Sequence, residues 1–152
     1  MGTGDTAATI MFPITEIPNA VAVPGGTCMI HSITAVLSDQ ADDEGDGANL
    51  TNSFRLVITN DSTTLGAVDA AITDESATTG QLGRTVLDGI QGFADLSAIQ
   101  DFGYMAVASK NSVGIVAKAA ESSTSLYIVG ITQSTDPYDG GNITLNIGVV
   151  KD

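Results

Sequence analysis

CMIHSITAVLS, residues 28–38, is the stretch from which the fold is read. Met29, His31, Ile33, Ala35 and Leu37 return at every second position and are assigned to one face. A repeat of two is the period of a strand, because successive side chains of extended backbone point to opposite sides. The same period extends along the chain. In SFRLVIT (53–59), Phe54, Leu56 and Ile58 fall together, with Arg55 and Thr59 opposite. In NITLNIGV (142–149), Ile143, Leu145, Ile147 and Val149 point inward. TSLYIVGITQ (124–133) is apolar on both faces, as a central strand requires. Residues 67–73 and 84–88 are shorter strand candidates. FGYMAVAS (102–109) and SVGIVAK (112–118) read as a hairpin turned by Lys110-Asn111.

Between these runs lie clusters of Asp, Asn, Ser, Thr and Gly, the residues that favour turns. Helix is expected only in short pieces, at 74–82 with Asp74 as N-cap and as a single turn at 94–101. About seven or eight short strands with irregular connections predict an all-β chain. The expected architecture is a single-domain antiparallel β-sandwich or jelly roll over residues 27–152.

Residues 1–26 read as an extended N-terminal arm. Pro13, Pro18 and Pro24 recur there, followed by Gly25-Gly26. Proline lacks the amide donor of a ladder, so a regular core strand is not expected. The arm nevertheless carries Ile10, Met11, Phe12, Ile14 and Ile17. So much apolar surface is expected to lie against the chain's own domain or a neighbouring subunit, and these five residues are the candidate inter-subunit contacts.

Eighteen acids face five bases, a formal charge of −13. The bases, Arg55, Arg84, Lys110, Lys118 and Lys151, are scattered. Such a surface repels phosphate, which excludes nucleic acid as an expected partner and disfavours an anionic membrane. The opening MGTGDTAATIMFP has neither a basic stretch nor a long apolar run, so no secretory signal is read there. A single cysteine, Cys28, cannot form an internal disulfide and is expected to be buried.

Catalytic equipment is thin. His31 is the only histidine, and no GxSxG elbow accompanies it. Cys28 and His31, three apart on a strand, point to opposite sides and cannot form a dyad without a bend. A non-enzymatic role is expected, with no required cofactor. DQADDEGDG (39–47) is acid-rich, and Asp42, Glu44 and Asp46 echo the first half of a calcium-binding loop. Position twelve of that register is Ser53, so a weak Ca²⁺ site stands beside the simpler reading of a solvated acidic loop.

The C-terminal half adds a resemblance. An ASK turn at 108–110, VAKAA at 116–120, STSLYI at 123–128 and Gly141-Asn142-Ile143-Thr144-Leu145 resemble small decoration (cement) proteins of marine and aquatic tailed bacteriophages. Phe54-Arg55-Leu56 and the run Leu65 to Ile72 are similar too, so the resemblance spans roughly residues 27–150. It implies a structural virion protein on the outer capsid surface, made in the host cytoplasm. Its partners would be the major capsid protein and further copies of itself, as a homotrimer. The alternatives are a tail or fibre adhesion module and an extracellular Ca²⁺- or carbohydrate-binding β-sandwich.

Overall fold

A computed structural model of the chain describes residues 10–38, 53–62, 89–97, 100–101, 105–133 and 142–152. Their regular structure is nearly all strand: β1 (Ile10–Ile17), β2 (Thr27–Ser38), β3 (Ser53–Thr59), β4 (Ile90–Ser97), β5 (Gln100–Asp101), β6 (Met105–Lys110), β7 (Ile115–Lys118), β8 (Leu126–Thr132) and β9 (Asn142–Lys151). They form two antiparallel sheets. Sheet 1 has the order β1-β8-β3-β4; in sheet 2, β2 is flanked on one side by β6 and β7 and on the other by β9, with β5 beyond β6.

The inner faces of both sheets meet in one core. Cys28, Ile30, Ile33, Ala35 and Leu37 of β2 lie in the same buried cluster as Phe54, Leu56 and Ile58 of β3 and Leu126 and Ile128 of β8. Ile143, Leu145, Ile147 and Val149 of β9 pack against it, as the alternation requires. Central β8, apolar on both faces, sits between β1 and β3.

The phase of β2 differs from the sequence reading. Cys28 and Ile30 face the core, and so do Ile33, Ala35 and Leu37, whereas Met29 and His31 are exposed. A register shift between Ile30 and Ser32 explains this. The bulge puts His31 and Ser32 outside in succession and so reverses the alternation halfway along the strand.

The 102–118 segment is also corrected. β6 and β7 do not pair with each other; both run along the same edge of β2, β6 against residues 33–38 and β7 against 27–30. Residues 111–114 are an interruption in one antiparallel track, held by the Val113 amide donating to the His31 carbonyl at 3.0 Å, with Gly114 at φ 67°. Within 94–101, where a helical turn was expected, the described residues 94–97 and 100–101 are strand: Ala94 and Leu96 enter the core from β4 while Phe93, Asp95 and Ser97 point out. The candidates at 67–73, 74–82 and 84–88 lie outside the described residues.

Residues 10–17, read as part of an extended arm, form a strand at the edge of sheet 1 and not a regular central one. β1 is an edge strand, and its pairing with β8 shifts register between Ile10 and Phe12 and between Phe12 and Thr15. Pro13 falls in the second shift, where a ladder amide is not required. The first shift sends Met11 and Phe12 into the core while Ile10 joins a second cluster on the other face. The Phe12 ring lies over Gly130 of β8; a Cβ there would stand 2.1 Å from Phe12 Cε1, so only glycine leaves the ring its place.

The links between the sheets brace each other. The β1–β2 connection (18–26) and the β7–β8 connection (119–125) run side by side. Val21 donates to Thr124 at 3.1 Å, Gly25 to Ser123 at 3.0 Å and Ala119 to Gly26 at 3.0 Å. Ala20, Val21 and Ala119 are buried between them. At the β4–β7 margin the Gln91 side-chain oxygen accepts from the Lys118 amide at 2.9 Å, joining the edges of the two sheets.

Candidate functional site

Ile10, Met11 and Phe12 are buried within their own chain, and Ile14 and Ile17 are half-buried against its clusters. The folded chain therefore does not present the first three as a contact surface. Asp42, Glu44 and Asp46 lie outside the described residues, and among the described residues no group of three potential metal ligands occurs. Cys28 and His31 are on opposite faces of β2, the cysteine buried and the histidine exposed. Burial pushes the Cys28 thiol above its ordinary pKa, which keeps it protonated and unreactive.

Apart from Val23 in the β1–β2 connection, the exposed large apolar residues among the described residues gather in two places. The first is the outer face of sheet 2. Val116 of β7 pairs with Met29 of β2, and Met29 pairs with Val150 of β9. The three form one cross-strand row, 68%, 41% and 50% exposed respectively. One row further, Lys118 pairs with Thr27, whose hydroxyl donates to the carboxylate of Asp152 on the other flank.

The second lies at the β4 edge of sheet 1. Phe93 is 51% exposed, and the Arg55 guanidinium lies over its ring, 5.2 Å from the centroid. Arg55 and Asp95 are direct cross-strand partners. Arg55 donates to Asp95 through Nε at 2.6 Å and Nη2 at 3.0 Å. This pair holds the Asp95 carboxyl below its ordinary range and raises Arg55 above its own. Both side chains are well exposed, so the pair's value lies in fixing the guanidinium against the ring more than in stability. Lys110 stands close enough to contribute to the same field.

Sequence reasoning missed both surfaces. Alternation puts Met29 on the same face as Ile33, Ala35 and Leu37 because the bulge is invisible to it, and β4 is not read as a strand. The exposed Val116 and Val150 differ in no local way from valines that are buried.

No helix among the described residues is long and apolar enough to cross a membrane. Comparison of the chain with family models, curated proteins and solved structures finds no match.

Proposed function

We propose that this chain is a structural virion protein, a two-sheet β-sandwich of jelly-roll type that decorates the outside of an assembled major-capsid lattice and cements it. The class comes from the resemblance over residues 27–150. The observation that carries a docking role is the Phe93–Arg55–Asp95 group. An exposed aromatic ring beside arginine is the composition that protein partners bury at the centre of an interface. Here two paired strands hold it, so little side-chain freedom is lost on docking. The acidic remainder of the chain favours solubility and repels the packaged genome. Further copies would gather at threefold positions of the lattice, where several weak contacts add by avidity. The role is non-enzymatic.

The test is the copy number and location of the chain in purified virions. Stoichiometric amounts relative to the major capsid protein, on the head, support the proposal; a few copies at the tail would move the chain to the adhesion class. Phe93→Ser should lower head occupancy at least about tenfold, the usual consequence of losing a central anchor. Unchanged occupancy would exclude the Phe93 group as the docking site.

A further inference from the structure

Among the described residues, the outer face of sheet 2 is poor in charge, on a chain of formal charge −13. Its outward positions, set by the buried residues that alternate with them, include Thr34, Val36, Val107, Ser109, Thr144 and Asn146. Apart from His31, the ionisable groups on this face among the described residues are Lys118 and Asp152, and their charges cancel. They are also placed on opposite flanks. Along β7, Val116 is followed by Lys118; along β9, Val150 is followed by Asp152; Met29 and Thr27 lie between.

That arrangement is complementary to itself. Two such faces set against each other about a twofold axis parallel to β2 bring the β7 flank of one copy over the β9 flank of the other. Met29 then meets Met29, each Val116 meets a Val150, and each Lys118 meets an Asp152. An axis running across the strands would set Val116 on Val116 and leave both lysines without an acid. We propose that the outer face of sheet 2 is a self-association surface whose occupant is the same face of a second copy, joined about the axis parallel to β2.

Charge and area both favour this occupant. A net charge of −13 opposes the approach of two copies in general, whereas this face, among the described residues, carries balanced charges and offers two ion pairs. β2 is 12 residues long. At about 3.3 Å per residue and about 4.8 Å between strands, a three-strand face is on the order of 550 Å² before side-chain relief. That is close to the lower bound for a stable pair, about 600 Å² per partner, and describes a reversible, concentration-dependent contact. The inference does not rest on the capsid reading: a pair of copies forms whatever the chain decorates, and threefold units that also use this face would carry an even number of copies.

Sedimentation velocity on the full chain, up to millimolar concentration, is the test. The expected result is a reversible assembly of even copy number. Lys118→Asp should halve its mass and weaken self-association by about a hundredfold or more, the effect of setting like charges against each other. Asp152→Lys added to Lys118→Asp should restore the assembly, because the twofold exchanges the two flanks. Met29→Glu should also halve the mass while leaving the strand spectrum intact, since the side chain is exposed in the single copy. A wild-type chain that remains monomeric or purely trimeric would overturn the proposal. So would a Lys118→Asp chain that assembles like wild type, or a double variant that fails to recover.

Discussion

Val57 and Val129, on the outer face of sheet 1, are buried with Ile10; Val116 and Val150, on the outer face of sheet 2, stand half or more in water. All four are strand valines that point away from the shared core. Alternation therefore decides which side of a sheet a residue takes, and says nothing of whether that side is covered. Among the described residues, the outer face of sheet 1 is buried at its centre, around Val57 and Val129, and exposure returns at its edges, at Phe93 and Asp95 of β4 and at Pro13, Thr15 and Glu16 of β1. Sheet 2 keeps one face for the core and one for the outside.

The largest test of that contrast concerns β1, which joins the shared core through Met11 and Phe12 and the outer cluster of sheet 1 through Ile10. Removing residues 1–17 deletes Ile10, Met11 and Phe12, each worth about 1.5–3 kcal/mol of burial. The sum is comparable with the whole stability of a typical domain, about 5–15 kcal/mol. The truncated chain should lose its cooperative thermal transition; a two-state melt near the full-length temperature would show that β1 is dispensable.

Next in size is a matched pair of substitutions. Val129→Asp buries an unpaired carboxylate on the outer face of sheet 1 and should destabilise by about 3 kcal/mol or more. Val116→Asp puts the same group on the outer face of sheet 2 and should change the stability of the single copy by no more than about 0.5 kcal/mol. Denaturant midpoints measure both, and equal effects would erase the distinction between the faces.

Gly130→Ala is smaller and sharper. Its methyl falls on the Phe12 ring, so about 1–3 kcal/mol of overpacking is expected. Adding Phe12→Leu should recover part of that loss, whereas additive losses in the double variant would place the strain elsewhere.

The smallest effect belongs to the exposed pair at the β4 edge. Asp95→Asn should cost less than about 1 kcal/mol at neutral pH. The folded Asp95 carboxyl sits below its ordinary range, so its contribution is present above that range and is lost as pH falls through the folded value. Wild type and Asp95→Asn should therefore converge in stability toward acid. A gap that widens at low pH would reverse the sign assigned to Arg55.

Much of this was legible before any coordinates. The strands at 53–59 and 142–149 follow from period two and that at 124–133 from its apolar run, and Cys28 is buried as expected. What misled the reading is equally specific. One extra residue at His31-Ser32 reverses the phase of β2, and a proline at a bulged edge is compatible with a strand that it would break in a sheet centre. Lys110-Asn111 has the composition of a hairpin turn, yet the flanking segments find their partner in β2, which offers both of them an open ladder.

What the sequence determined by itself is the chemistry of each position: a chain rich in alternating apolar residues, acidic overall, with one histidine and one cysteine. Those properties are local, and they predict an all-β protein because side-chain sidedness in extended backbone depends only on neighbours in the chain. Tertiary structure alone decided which apolar faces are covered. β1, the first described strand, lies beside β8, so that Ile10, Met11 and Phe12 are interior. Val116, Met29 and Val150 come from three distant segments and form a surface only because two registers align them. Burial is a property of what packs on a face, and that is set by pairings between residues far apart in the chain, which no local pattern encodes.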